Sequence, residues 1–201
     1  MRAGSTTLAP GLLVRIVASP GPATETLRRA LQRRHARVSV DWPAPDPLPA
    51  AGDLLFCTYL PDLPRRIPWT PGEAPLALIV LLEAGQAADP ELLRLATCDA
   101  VLPHPASPEL VAATVAVARD KFLYERRLRG RIERLEETLR ALRTVERAKA
   151  LLIAERNMTE EQAYAFLRER AMERRVTVGA VAAAYLDSHD LLELSRQRRG
   201  G

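Results

Sequence analysis

An aromatic ring and two guanidinium groups recur at helical spacing near the C-terminal end of the chain. The series is Tyr164, Arg168, Ala171 and Arg175. Its members stand at i, i+4, i+7 and i+11, which one face of a helix carries together. Unpaired bases stack on aromatic rings and guanidinium planes, and a small residue permits close approach. The series predicts a surface for single-stranded nucleic acid. The alternative, which stays open, is that Tyr164 is an ordinary core residue.

Two further cations are candidates for phosphate contacts. Lys149 is one of only two lysines among many arginines, so we expect a point charge placed for a phosphate, with a solvated helix position as the alternative. Arg174 is expected to add another contact, because a guanidinium binds phosphate bidentately. Residues 125–201 hold 17 basic and 13 acidic residues, whereas residues 1–124 hold 12 of each. The excess charge fits either a nucleic-acid surface or a solvated helical one.

The elements that position these side chains are predicted to be helices. All 16 prolines lie at or before Pro108, and proline is excluded from helix interiors. Within the proline-free part, five apolar residues alternate at spacings of four and three. They are Leu128, Ile132, Leu135, Leu139 and Leu142. This is the seam of a coiled coil, which predicts a homodimer, with packing against a helix of the same chain as the alternative.

Short apolar runs alternate with helical patterns before Pro108. The apolar runs are residues 12–17, 38–40, 53–57, 76–82 and 100–102. Such alternation predicts a parallel α/β sheet, with a short helix or a loop in the proline-rich segment 61–75. We therefore predict an α/β domain at 1–106, a coiled-coil dimerisation helix at 107–145, a three-helix bundle at 140–195 and a disordered tail at 196–201. A capping box at residues 159–162 begins the second helix of the bundle.

Several function classes are disfavoured by what the sequence contains. It has no apolar run long enough to span a bilayer and no convincing signal peptide, so we expect a cytoplasmic protein without membrane contact. Its cysteines and histidines show no zinc spacing. There is no nucleophile–base pair, metal cluster or glycine-rich phosphate loop, so we expect no enzyme, no metal and no cofactor.

The first 106 residues resemble the flavodoxin-like receiver domains of response regulators. A working receiver has Mg²⁺-binding acids after its first strand and a phosphate-accepting Asp ending its third. A hydroxyl residue and a lysine follow its fourth and fifth strands. The matching positions here are Ser19, Pro20, Thr58, Glu83 and His104. Each departs from the pattern, so the resemblance implies a pseudo-receiver with a degenerate, inactive phosphoacceptor pocket.

The helical part resembles the AmiR and NasR transcription antitermination regulator family, whose domain is called ANTAR. The dipeptides Ala148-Lys149, Leu167-Arg168 and Ala171-Met172 carry the resemblance in order and spacing over about 55 residues. Ala150 departs from the glycine common in the family. The resemblance implies a non-enzymatic RNA-binding protein. Among the candidate contacts, it draws attention to Lys149, Arg168 and Ala171.

The whole layout resembles the AmiR-type regulators of that family. This implies a dimer that binds paired hairpins in a leader transcript and prevents a terminator from forming. It also implies control by an amide- or small-molecule-sensing partner with a periplasmic-binding-protein fold. Two alternatives stay open, which are a DNA-binding response-regulator-like transcription factor and a coiled-coil adaptor without nucleic acid. The first is disfavoured because residues 178–186 are alanine-rich and almost uncharged.

Overall fold

A computed structural model describes the backbone of residues 11–199 and the side chains of residues 11–191. The chain divides into two compact units, residues 1–127 and residues 128–201. Within the described range, no helix combines the length and the apolar character needed to cross a bilayer.

Five parallel strands form the sheet of the first unit. They are β1 (Leu13–Val17), β2 (Arg37–Asp41), β3 (Leu54–Thr58), β4 (Ala77–Glu83) and β5 (Ala100–His104). Their order is β2-β1-β3-β4-β5, which is that of flavodoxin-like receivers, so the predicted α/β class is confirmed. Residues 77–81 of β4 are buried throughout, because both faces of this inner strand are covered, and their sequence is accordingly apolar without alternation.

Helices accompany the sheet on both faces. They are α1 (Pro22–Gln32), α2 (Leu63–Arg66), α3 (Pro90–Leu95) and the start of α4 (Pro108–Arg156). Helix α1 has a proline in its first turn and buries Leu27 and Leu31, so its apolar stripe faces the sheet. Helix α2 is a single turn, as expected for a segment in which prolines recur.

Each face of the sheet covers its own hydrophobic core. Ile16 and Phe56 belong to the core beneath α1 and α4, whereas Val17 and Leu55 belong to the core on the opposite face. A proline-rich loop, and no helix, joins β2 to β3. Its residue Leu48 is 1% exposed and fills part of the second core, so this loop covers the sheet where a crossover helix commonly lies.

The start of α4 belongs to the first unit. Val111, Val115 and Ala118 recur at helical spacing and are buried against the sheet. The coiled-coil helix was predicted to span residues 107–145, whereas the first unit extends to residue 127. The difference arises because α4 continues without a break from its sheet-packed turns into its exposed ones.

Three helical segments pack together in the second unit. They are the end of α4, α5 (Glu160–Arg174) and α6 (Val178–Arg199). Thr159 caps α5 with the predicted capping box. The Thr159 hydroxyl accepts a hydrogen bond from the Gln162 backbone N–H, and the Gln162 side-chain oxygen accepts one from the Thr159 backbone N–H. Thr177 accepts a hydrogen bond from the Ala180 amide at the start of α6. Helix α6 runs to Arg199, into the segment 196–201 for which we expected disorder, and residues 200 and 201 lie outside the described residues.

Candidate nucleic-acid interface

Helix α5 turns one stripe of small and apolar residues towards its neighbours. Ala163, Leu167 and Ala171 stand at i, i+4 and i+8 and are all buried. They pack with residues of α4 and α6, among them Leu152 and Ala182, which are fully buried. The stripe leaves two flanks of α5 facing outwards, one on each side of the core-facing line.

One flank carries most of the predicted RNA-binding residues. The Tyr164 side chain is largely outside the core at 46% exposure, which disfavours the reading of Tyr164 as a core residue. Arg168 and Arg175 are exposed, and neither guanidinium has a described ion-pair partner. Arg175 ends α5 with φ 53, in the left-handed region. This flank can therefore present one ring and two unpaired cations to a nucleic acid.

Two of the predicted contacts need correction. Ala171 is 4% exposed and belongs to the hydrophobic core, so it cannot give a nucleic-acid strand close approach to α5. Lys149 is 8% exposed. Its ammonium lies 2.9 Å from a Glu146 carboxylate oxygen and 2.7 Å from a Glu160 oxygen. Because these carboxylates neutralise it, Lys149 links α4 to the start of α5 and is not a free phosphate contact.

The electrostatics around Lys149 agree with this structural role. The hydrogen bonds that the Lys149 ammonium donates to Glu160 and Glu146 raise the pKa of Lys149 above its ordinary value. The contact with Lys149 also holds the pKa of Glu160 below its usual range. A surface depression of about 630 Å³ is lined by Lys149, Glu160, Glu161 and Tyr164 among others. The acidic residues beside Tyr164 disfavour a phosphate there, so Arg168 and Arg175 are the candidate residues of this flank for binding one.

The opposite flank of α5 holds a second group of residues, of which only Arg174 was predicted to bind RNA. Phe166, Arg170 and Arg174 stand at i, i+4 and i+8 and line a groove with Tyr185 of α6. Arg174, predicted as a further phosphate contact, lies here and is exposed. The spacing of the α5 residues was visible in the sequence. The sequence did not show the position of α6, which brings Tyr185 beside these α5 residues.

The predicted dimer seam lies uncovered on α4. Its side chains are 44–64% exposed. They are Leu128, Ile132, Leu135, Leu139 and Leu142. These residues precede the part of α4 that contributes to the core of the second unit, so no described residue of that core buries them.

The predicted phosphoacceptor positions gather at one edge of the sheet, because the carboxyl ends of parallel strands meet there. Glu83 pairs in register with His104 at the ends of β4 and β5, and Thr58 ends β3. After β1, Ser19 and Pro20 are exposed. Glu83 is thus the one carboxylate among the five matched positions.

Polar contacts at this edge involve hydroxyl and imidazole groups. The Thr24 hydroxyl donates to the Ser19 carbonyl at 2.8 Å and lies 3.5 Å from His104 Nε2. Burial lowers the pKa of His104, against an opposing effect of Glu83. In the part of the chain that the structure describes, no group of three or more metal-ligating side chains is assembled.

Comparison with known proteins identifies the helical unit. A family model for the ANTAR domain matches residues 133–185. The transcriptional regulatory protein PdtaR of Mycobacterium tuberculosis is 34% identical over 114 residues, which are 56% of this chain and 56% of PdtaR. The chain therefore spans about half the length of that relative. The aliphatic amidase regulator of Pseudomonas aeruginosa is 24% identical over 178 residues, covering 87% of this chain and 91% of that regulator.

Among solved structures, the response regulator StyR is similar to this chain, with a TM-score of 0.56 and 14% sequence identity. The match covers 88% of this chain and 98% of StyR, and it supports the fold alone. The two predicted resemblances, to receivers in the first unit and to the ANTAR family in the second, are confirmed. Residues 133–185 match the ANTAR domain, and a receiver-like α/β unit precedes them in the chain.

Proposed function

We propose that this protein is an RNA-binding transcription antiterminator. The observation that carries the proposal is the ANTAR match to residues 133–185, on a helical unit whose exposed flank offers Tyr164, Arg168 and Arg175. Both sequence relatives are named as regulators. In this proposal, loop bases of a leader-transcript hairpin stack on the ring and guanidinium planes, and the terminator hairpin fails to form.

The bound form in this proposal is a homodimer. The exposed leucine-rich seam of residues 128–142 is apolar surface that a second copy of α4 would bury. A dimer presents two ANTAR domains, so it engages two hairpins on one transcript. The second contact then forms at high effective concentration, which raises affinity without new interactions.

The receiver-like unit acts in this proposal as a control surface without phosphoryl chemistry. Its acceptor position is Thr58, and neither Ser19 nor Pro20 can ligate Mg²⁺ through a carboxylate. Control then comes from a partner protein. In this proposal the partner senses amides or similar small molecules and has a periplasmic-binding-protein fold, as the resemblance to AmiR-type regulators implies. One sequence relative is named as the regulator of an aliphatic amidase. A protein that acts on a nascent bacterial transcript works in the cytoplasm.

A binding experiment with a defined probe tests the central claim. The probe is a pool of transcripts that carry two tandem stem-loops with randomised loops, captured on the full-length protein at modest ionic strength. We expect enrichment of particular loops in the RNA pool and only weak, sequence-independent retention of duplex DNA. Preferred binding of duplex DNA would favour a DNA-binding transcription factor. Retention of neither nucleic acid by folded protein would favour a coiled-coil adaptor.

A transcription assay then tests the consequence of binding. A selected tandem stem-loop is placed so that it overlaps a terminator, and read-through by bacterial RNA polymerase is measured with and without the protein. We expect protein-dependent read-through on this template and none on a template whose loops are scrambled. Equal read-through on the two templates would contradict antitermination even if binding were confirmed.

A further inference from the structure

A groove between α5 and α6 combines aromatic and cationic side chains. Its volume is about 270 Å³. It is lined by Phe166, Arg170, Arg174, Val181, Ala184, Tyr185 and Ser188. Phe166 and Tyr185 are partly exposed, and Ala184 is an exposed small residue on α6. The groove lies on the flank of α5 opposite Tyr164 and Arg168, so it is separate from the surface assigned above.

Guanidinium groups are held over the rings of this groove. The Arg156 guanidinium carbon lies 5.3 Å from the centroid of the Phe166 ring and 6.0 Å from that of Tyr185. The Arg170 guanidinium carbon lies 5.5 Å from the Phe166 centroid. These are cation–π distances. The contacts favour positions of both guanidinium groups beside the rings, and both arginines remain exposed to solvent.

Acidic neighbours offset most of the positive charge here. Arg170 forms an ion pair with Glu173 at 2.7 Å. Glu155 accepts a hydrogen bond from the Tyr185 hydroxyl at 3.2 Å and lies 2.7 Å from His189. Arg174 has no described ion-pair partner. A ligand with several carboxylates, such as an acidic peptide, would meet Glu155 and Glu173 in the groove. An uncharged base with one neighbouring phosphate needs a single cation, which Arg174 can supply.

We propose that this groove is a second RNA-contact site, in which one unstacked base packs against the Arg156 and Arg170 guanidinium groups and the Tyr185 ring. Arg174, which lines the groove at the last residue of α5, binds the phosphate beside that base. The proposal rests on the RNA-binding function proposed above. It adds that α5 contacts RNA on both flanks, so a hairpin loop straddles the helix and places different bases on its two sides.

Blocking the groove tests this proposal without removing any of its contacts. Ala184→Glu places a carboxylate in the groove from an exposed helix position, and the matched control Ala154→Glu adds the same charge at an exposed alanine of α4. With a tandem stem-loop selected on the wild-type chain as probe, we expect Ala184→Glu to weaken binding about tenfold or more and Ala154→Glu to change it less than about twofold. Helical content by circular dichroism should be unchanged in both.

Cross-linking gives an answer even if Ala184→Glu fails to fold. The same stem-loop carries 4-thiouridine at single loop positions, and cross-linked peptides of the wild-type protein are identified by mass spectrometry. We expect one loop position to cross-link to Phe166 or Tyr185 and a different position to cross-link near Tyr164. Cross-links confined to the Tyr164 flank would overturn the proposed groove site, and so would equal RNA binding by Ala184→Glu and Ala154→Glu. Neither result would overturn the proposed RNA-binding function. A wild-type chain that retains no RNA would overturn the proposed function together with the groove.

Discussion

The Lys149 ammonium holds two carboxylates from different helices at once. Glu146 lies on the same helix one turn earlier, whereas Glu160 begins α5 on the far side of the turn. This interaction ties the start of α5 to α4, and the lysine side chain that makes it is almost completely buried. The flank that carries Tyr164 begins four residues after Glu160, so this contact bears on the position of the proposed RNA surface.

The stability of this link should depend on pH through Glu160. Its pKa is lowered in the folded chain from an ordinary value of 4.5, so its contribution is present above that pH and is lost as the pH falls through the folded pKa. We predict that Glu160→Gln lowers protection of α5 backbone amides at neutral pH and reduces their acid sensitivity. Hydrogen exchange detected by mass spectrometry between pH 3 and pH 7 measures the protection of each α5 peptide, once the rates are corrected for intrinsic exchange.

The neighbouring residue supplies the matched control. Glu161 is exposed and has no described ion-pair partner, so Glu161→Gln removes the same charge from the same turn without breaking the lysine contact. We expect its exchange profile to follow the wild type. If the Glu160 and Glu161 variants lose protection equally, the loss reflects charge at the helix start, and Lys149 has no structural role of the kind described.

Arg168 is the residue on which the assigned RNA surface depends most. Its guanidinium is exposed and unpaired among the described residues, so Arg168→Ala should weaken hairpin binding by about 1–3 kcal/mol. That is roughly a 5- to 150-fold rise in Kd, measured by filter binding. Arg126→Ala removes an exposed arginine from α4 in the first unit and should leave the affinity nearly unchanged. Unchanged binding by Arg168→Ala would refute its assigned role.

Helical spacing in the sequence distinguished exposed from buried residues only in part. It correctly put Tyr164 and Arg168 on one outward flank. It also put Ala171 there, although Ala171 continues the buried stripe at i+8 from Ala163. The role of Lys149 was beyond local spacing, because its partner Glu160 lies eleven residues away across a turn. Contacts between helices depend on the geometry of the turn that joins them, and residue spacing along one helix does not predict that geometry.

At the scale of elements, residues 128–142 of α4 leave five apolar side chains exposed. Replacing Leu135 and Leu139 with Asp would bury two carboxylates in the proposed dimer seam, which is unfavourable without partners. We predict that the double variant is monomeric by sedimentation equilibrium. Its affinity for tandem stem-loops should fall about 100-fold or more, while its affinity for a single stem-loop should stay nearly constant.

A control with the same change in net charge separates the seam from electrostatics. The double variant Arg126→Ala and Arg140→Ala also lowers the net charge by two, at exposed positions of α4 outside the seam. We expect it to remain dimeric. Dimers that survive the two leucine substitutions would mean that the copies associate elsewhere on the chain.

Elements that are defined by local chemistry were the predictable ones. The capping box at Thr159 and the apolar run of β4 were read directly from the sequence, because caps and buried inner strands depend on few neighbours. The start of α4 was not separable from the coiled coil. Val111 and Val115 are spaced like any amphipathic helix, and only the sheet shows that they belong to the first unit.

At the scale of the whole molecule, each unit has its own hydrophobic core, and α4 belongs to both. The receiver-like unit keeps the strand order of its fold, and only Glu83 is a carboxylate among the five positions that we matched to the phosphoacceptor pocket. Retaining a fold while losing its chemistry is expected when the fold serves as a surface for other molecules. This makes a partner protein, and not a phosphoryl donor, the input that we propose for the chain.

Treatment with acetyl phosphate and Mg²⁺ tests that view directly. The acceptor position holds Thr58, and Glu83 is the only carboxylate among the matched positions that could act as a base for its hydroxyl. Ser19 and Pro20 supply none of the carboxylate ligands that Mg²⁺ usually has in receivers. We predict no added phosphoryl group by intact-protein mass spectrometry and no change in RNA affinity after treatment. A working receiver treated in parallel verifies the donor. A stable phosphoryl adduct that alters RNA binding would show that the unit has kept or regained a switch, and control by a partner alone would then be wrong.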